Sequence, residues 1–452
     1  MHRLSFSRQT RCLLLILLCF LWTSVGYLSW LYRLLDALDG VQVELAAEVG
    51  GYLLQALGLL LFALSVRRRP AFSGKRPFAL LTLTDFVCTA LSVLLSGAAP
   101  LLIFGGCMNL LHGVLAGFYL HRLSLTVPWD RRGRTFGVGY GLASLAAWLL
   151  SLFGNGNFLR SWAALPVYAV LAAGSVWLLC SEPLPADAAQ TAPAASGSRG
   201  LLWMAALCVA LLSLVKGLGF SFPSADLRQG IDLELSRVFY ALGLIAAGFF
   251  SDRERKFGAI ACVASLGVPF LLIALRDQLG PSIVFWIVSY LLSGFFSVFR
   301  VLLFCDLAQK EVGSHWLSGF GLLFGRIGDA LGALGCILLA SHTVLLVGLA
   351  AALFTTAVIC FFLLYQRLYL PAPLPVRSER ERFESFSADH DLSSREREVL
   401  HLLLDGLSTQ EIAAQLFVTE STVKFHIHNL LKKTSCANRI ELVSRCLTGE
   451  RP

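Results

Sequence analysis

The sequence predicts an all-α protein: a polytopic bundle of about 12 membrane-spanning helices in two six-helix halves, followed by a small C-terminal four-helix domain. Three observations predict it. Of 452 residues, 56% are hydrophobic and only 15% charged, and mean hydropathy is +0.70, too apolar for a water-soluble chain of this length. Apolar runs of roughly 20 residues, each able to cross about 30 Å of hydrocarbon, recur from Cys12 to Tyr365 and then stop. Beyond them come short, capped, amphipathic segments of soluble type.

The first span follows Arg3, Arg8 and Arg11 and reads CLLLILLCFLWTSVGYLSWLY. It lacks a small-residue cleavage site and exceeds a signal-peptide core, so it is expected to remain in the membrane. The spans run approximately over 12–32, 45–66, 78–97, 99–120, 135–153, 162–181, 200–219, 236–251, 257–275, 283–304, 317–340 and 343–365. Alternate loops carry the basic residues: Arg67 to Arg69 with Lys75 and Arg76, then Arg122 with Arg131, Arg132 and Arg134, then Arg199, then Arg253, Arg255 and Lys256, then Lys310. The opposite loops carry little beyond Arg33, Arg160, Arg228 and Arg276. Because cytoplasmic loops collect Lys and Arg, both termini are expected in the cytoplasm of a bacterial cell. These loops account for much of the formal +8 charge, which is therefore no argument for nucleic acid. The lipid bilayer is their first partner.

A Pro/Ala/Ser/Gly stretch, residues 182–199, separates the halves and has too little apolar surface to fold. Two six-span halves around such a linker resemble the major facilitator architecture, which encloses a midplane cavity. After the eighth span, GFFSDRERK (Gly248 to Lys256) is similar to that family's G-x-x-x-D-R-x-G-R-K loop, with Arg255 near the place of the missing second glycine. The 12 cysteines are scattered singly, with no C-x-x-C or His/Cys cluster, so no disulfide framework, metal site or cofactor is expected.

Ionisable side chains in hydrocarbon are costly unless paired or wet, so each is a candidate sensing or gating residue. Arg326 and Asp329 stand three apart on one helix and are expected to pair, as a structural ion pair or a gating element. Asn109 and His112 share a face of the fourth span, and Asp85 lies in the third; an interhelical hydrogen bond competes here with a ligand or proton site. Glu48, Lys216 and Arg300 lie nearer span ends, where snorkelling would accommodate them.

Residues 1–365 thus read as a sensor-like or transporter-like membrane domain, 366–390 as a charged, Pro-punctuated linker, and 391–452 as a separate domain. Part of the linker, SERERFES, has the alternative reading of a short helix. In the domain, Ser393 with Glu396 and Ser408 with Glu411 are capping boxes, and Gly406 is a stop signal between them. Thr419 is an N-cap for STVKFHIHNLLKK, where Val423, Ile427 and Leu430 face inward and Lys424, His428 and Lys432 outward. A fourth helix from about Arg439 would close the core with Ile440, Leu442, Val443 and Cys446. Two short helices joined by a tight turn, the second offering side chains outward, suit a DNA major groove.

Leu392 to Cys446 resembles the LuxR-type DNA-binding domain. That family's L-T-x-R-E-x-E-V-L opening matches Leu392 to Leu400, its E-I-A matches Glu411 to Ala413, and its T-V-K-x-H matches Thr422 to His426; its K-L-G-V is here Lys433, Thr434, Ser435, Cys436. The resemblance implies a recognition helix from Thr419, with Thr419, Ser421, Thr422, Lys424, Phe425, His428 and Lys432 as DNA-contacting residues. It also implies binding of double-stranded DNA as an inverted repeat, a homodimer through the fourth helix, and RNA polymerase as a further candidate partner. Lys433 and Arg439 add to the local basic charge expected to meet phosphate.

The function expected is a membrane-bound transcriptional regulator whose bundle senses an unidentified small-molecule or membrane signal. The alternative is a secondary transporter of the major facilitator type carrying a regulatory DNA-binding domain. No Gly-rich phosphate loop, metal-ligand spacing or nucleophile motif points to an enzyme.

Overall fold

The computed structural model describes residues 7–153, 157–181, 199–220, 234–263, 267, 283–310, 314–369 and 379–448. These are helices and turns, with no strand among the described residues. The chain divides into two compact units, residues 1–370 and 371–452.

In the first unit, α1 (Arg8–Ala37) is followed by α2 (Gly40–Glu44), which passes through a π-helical stretch, Leu45–Gly51, into α3 (Tyr52–Arg68). Then come α4 (Lys75–Leu94), α5 (Ala98–Thr126), α6 (Arg132–Leu152), the short α7 (Asn157–Arg160) and α8 (Leu165–Cys180). The second half holds α9 (Arg199–Phe220), α10 (Glu234–Arg253), α11 (Ile283–Lys310), α12 (Phe320–Leu339) and α13 (Thr343–Tyr369). Ten helical segments among the described residues are long and apolar enough to cross a membrane. The expected eighth span is α10, whose ends carry Glu234, Asp252 and Arg253 and which is not among those ten. Of the expected ninth span, 257–275, residues 257–263 and 267 are described and helical; the rest of it and most of the 182–199 linker lie outside the described residues.

One apolar core joins Trp22, Phe78, Phe118 and Tyr168 of the first half with Leu244 and Val298 of the second. The halves are tied by α10 against α6 and α12 against α3. Large apolar side chains stand on the outer surface, as lipid exposure requires: Val344 is 89% exposed and Val170 is 70% exposed.

The second unit consists of α14 (Glu379–Asp389), α15 (Ser394–Leu404), α16 (Thr409–Gln415), α17 (Glu420–Thr434) and α18 (Arg439–Thr448). Val399, Leu400, Leu403, Ile412, Val423 and Leu430 form its core. Residues 366–390, expected as linker, are helical at both ends: α13 runs to Tyr369, and α14 packs on α18 with Phe386 in the core. The charged text hid an apolar edge, because Phe383 and Phe386 stand three apart on one helical face. Ile440 departs from expectation too, being 81% exposed. With Leu442 and Cys446 buried, the phase of α18 carries Ile440 to the outer side.

Candidate DNA interface and intramembrane polar sites

The second unit's helices start where their caps place them. Ser393 Oγ accepts from the Glu396 amide at 3.4 Å while Glu396 Oε2 accepts from the Ser393 amide at 2.8 Å. Ser408 and Glu411 repeat the box at 3.3 and 2.7 Å. Gly406 follows α15 at φ +83°, a conformation open to glycine at little cost. The turn between α16 and α17 passes through Phe417 at φ +55°, and its side chain is 96% exposed. Thr419 then caps α17, its Oγ1 accepting from the Thr422 amide at 3.3 Å and lying 2.8 Å from both the Ser421 and Thr422 hydroxyls.

On α17, Val423 and Leu430 are buried, so Ser421, Lys424, Phe425, His428 and Lys432 lie along one exposed stripe. Thr422 is half-buried. Phe425 is 60% exposed and Lys424 70% exposed, with the Lys424 ammonium only loosely tethered, 4.0 Å from Glu420. The stripe therefore offers hydroxyls at the helix N-terminus, where unpaired amides favour anions, then cations and a bare aromatic ring farther along the helix.

Two basic residues expected near phosphate have other occupations. Lys433 Nζ lies 2.7 Å from Glu396 Oε2 and 2.9 Å from the Asp391 carbonyl, while Arg439 donates to the Leu407 carbonyl. Lys433 thereby ties α17 to α15, and Arg439 ties α18 to the turn after α15. Burial raises the Glu396 carboxyl, but hydrogen bonds from Lys433 and Ser393 outweigh it and hold the group below the ordinary carboxylate value. Ser435 ends α17 at φ +55°, where the family pattern has glycine, and the Cys436 amide bonds back to the Leu431 carbonyl at 3.0 Å.

In the membrane unit, Asp85 is fully buried and accepts from Trp22 Nε1 at 2.8 Å, with His112 Nε2 at 3.4 Å. Asn109 takes a separate partner: its Oδ1 accepts from Gln55 Nε2 at 2.7 Å, and its Nδ2 donates to the Gly105 carbonyl at 2.9 Å. Trp22 and Gln55 were not legible as site residues, since nothing in an apolar run marks which tryptophan or glutamine faces a carboxylate or amide.

Asp329 is the centre of a larger cluster. Lys216 lies 3.0 Å from it, Arg300 3.3 Å and Arg326 4.0 Å. The expected Arg326–Asp329 pair is thus its longest contact, and Arg326 instead lies over the Tyr52 ring, 4.6 Å from the centroid. Lys216 and Arg300, expected to snorkel, turn inward. Glycines permit it: a Cβ on Gly325 would meet Arg300 Nη1 at 2.5 Å, and one on Gly328 would meet the Ala210 carbonyl at 2.3 Å.

The end of α10 and the residues that follow it form a polar latch between the halves. Asp252 accepts from the Gly133 and Arg134 amides at 2.6 and 2.8 Å, capping α6 from the other half. Arg255 reaches Asp252 at 3.1 Å and Asp306 at 2.8 Å, and Arg132 reaches Asp306 at 2.9 Å. Among the described residues there is no group of three or more His, Cys, Asp or Glu that could hold a metal ion.

These features define a multi-pass membrane protein of transporter-like fold joined to a helix-turn-helix DNA-binding domain. Residues 390–446 match the model of the bacterial regulatory proteins of the luxR family, so the C-terminal domain is a LuxR-type DNA-binding domain. Over 65 residues the chain is 48% identical to the nitrate/nitrite response regulator protein NarP of Escherichia coli, covering 14% of this chain and 30% of NarP. It is 49% identical over 53 residues to the CsgBAC operon transcriptional regulatory protein of Escherichia coli, covering 12% and 24%. It is 42% identical over 60 residues to the transcriptional regulatory protein DesR of Bacillus subtilis, covering 13% and 30%. The chain therefore spans less than a third of these relatives, and what is shared is the DNA-binding domain. The human organic anion transporter MFSD10 superposes at TM-score 0.56 and 15% identity over 79% of this chain and 98% of its own. The fucose:proton symporter FucP of Escherichia coli does so at TM-score 0.58 and 15% identity, over 79% and 99%. The membrane unit has the major facilitator fold.

Proposed function

We propose that the protein is a membrane-bound bacterial transcriptional regulator, in which the LuxR-type domain binds specific DNA and the bundle supplies the signal. The observation that carries this reading is the exposed stripe Ser421, Lys424, Phe425, His428 and Lys432 on α17, in the same chain as a multi-span bundle. Thr419 caps that helix and Thr422 supports its first turn. Lys424 and His428 reach base edges, Phe425 meets a thymine methyl, and Lys432 neutralises phosphate. Both termini and the DNA-binding domain lie in the cytoplasm, in keeping with the basic loops. Two copies pair through α18 on an inverted repeat, a reading supported by Ile440 at 81% and Leu447 at 40% exposure, seven apart on one face. Asp85, Asn109, His112, Arg326 and Asp329 belong to the sensing and gating machinery. A signal must favour one bundle conformation by a few kcal/mol to change DNA occupancy.

The test is binding of residues 371–452 to a randomised duplex library over a range of salt, beside Lys424→Ala. Selection of an inverted repeat, weakened by the substitution, supports the regulator; absence of selection at any salt refutes it. A second reading, a secondary transporter with an attached regulator, is favoured by the latch around Asp252, which joins halves that would rock apart. Uptake of a solute into vesicles, lost on neutralising Asp85 or Arg326, would establish it.

A further inference from the structure

We propose that the second unit carries a self-association surface apart from α18, in which Phe417 of each copy inserts into a groove on the other copy. The contact goes beyond the DNA-binding reading and does not depend on it. Phe417 closes α16: its amide bonds to the Ala414 carbonyl at 3.4 Å and the Val418 amide bonds to the Ala413 carbonyl at 3.0 Å, the paired bonds of a Schellman turn. Such a turn holds its closing residue in the left-handed region, here at φ +55°, which glycine adopts freely and phenylalanine only at a cost. The ring regains nothing within its own copy, being 96% exposed. A lone exposed apolar side chain is ordinary. One held where the backbone favours glycine is not explained by local structure.

The receiving groove begins one residue away. Of ≈ 540 Å³, it lies between α14, α15 and the end of α16, with Phe383, Leu402 and Leu416 on its apolar side and Arg397, His401 and Gln415 on its polar side. The Phe383 and His401 rings meet edge to face, their centroids 5.6 Å apart, and a further aromatic ring suits such a pair. The charges around the groove are answered in pairs: Arg397 lies 3.6 Å from Glu384, His401 lies 3.2 Å from Asp405, and Arg395 bonds to Glu398. The edge therefore has no run of like charge to repel an identical copy.

A projecting ring and a groove side by side on one surface are what a two-fold contact requires, because each copy gives its ring and receives the other's. The contact is small, so association is weak in free solution. Part of the groove comes from α14, which precedes the residues 390–446 that match the luxR family. With pairing through α18 as well, each copy has two contacts, enough to link dimers in a row along a duplex.

The experiment is sedimentation velocity of residues 371–452, a compact unit with its own core. Ile440→Asp is present throughout, so that pairing through α18 does not contribute. From about 10 µM to about 1 mM the sedimentation coefficient should rise toward that of a dimer, with a dissociation constant between about 0.1 and 1 mM. Phe417→Gly should weaken the association at least about tenfold. It should also melt no lower than the parent, which separates loss of the contact from loss of the fold. Gln415→Arg, which obstructs the groove and leaves Phe417 in place, should weaken association to a similar extent. Lys424→Ala should associate like the parent. A domain that stays monomeric throughout, association unchanged by Phe417→Gly or by Gln415→Arg, an equal loss in Lys424→Ala, or a Phe417→Gly variant that melts below the parent would overturn the proposal. Association that persists in a domain unable to select DNA would sink the regulator reading and leave this contact intact.

Discussion

Glu396 and Lys433 separate structural charge from DNA-contacting charge. Replacing Glu396 with Ala removes the acceptor for the Ser393 amide, a capping interaction worth about 1 kcal/mol. It also removes the partner of Lys433, whose side chain is 39% exposed, so water competes and that loss is about 0.5 kcal/mol. Gln keeps an acceptor and loses only the charge. In thermal denaturation of residues 371–452 at neutral pH, the Ala variant should melt roughly 6–12 °C lower and the Gln variant roughly 2–4 °C lower. Because the folded Glu396 carboxyl is held below its ordinary 4.5, its contribution is complete above that value and is lost as pH falls through the folded one. The gap between parent and Glu396→Gln should accordingly hold steady from neutral pH to about pH 5 and close below it. Lys433→Met should lower the melting point but leave the salt dependence of DNA binding alone. Lys432→Ala should cut the log–log salt slope by about 0.9, whereas Lys424→Ala should weaken base preference, each leaving stability unchanged. A Lys433→Met protein that melts like its parent and loses one unit of salt slope would refute the assignment.

Three further outcomes are expected. Ser435→Gly should stabilise the second unit by about 0.5–1 kcal/mol in urea titration, since Ser435 holds φ +55°; destabilisation would mean its side chain is needed there. Ile440→Asp should change stability by no more than about 0.5 kcal/mol, yet abolish the preference for an inverted repeat over a half-site in gel-shift titration. Asp252→Ala, at a side chain only 8% exposed, leaves the two α6 amides without their acceptor and removes one of the two carboxylates that hold Arg255, and should cost the membrane unit about 2–4 kcal/mol. The purified full chain should then melt earlier; an unchanged midpoint would show that the latch carries no net stability.

The legible parts were those governed by short-range rules. Apolar run length disclosed ten spans among the described residues, and Ser393, Ser408 and Thr419 disclosed where α15, α16 and α17 begin, because a cap acts within three residues. The alternation of Val423 and Leu430 with Lys424 and His428 disclosed which side of α17 is exposed. What stayed hidden depends on partners far apart in sequence. Lys216 and Arg300 looked like end-of-span residues because the carboxylate that draws them inward is on another helix. Gln55 and Trp22 carry no signal of their own beside Asn109 and Asp85. Ile440 and Phe386 were misjudged for a different reason: helical phase at a short terminal segment is set by what it packs on, and neither neighbour was known.

The paired capping boxes bear on how the second unit acquires its structure. Each of α15, α16 and α17 closes its own first turn with residues three apart, and the core joins neighbours within about sixty positions. Contacts so local predict folding in the microsecond-to-millisecond range. A domain of this kind regains its shape quickly whenever it is lost, without help from the rest of the chain.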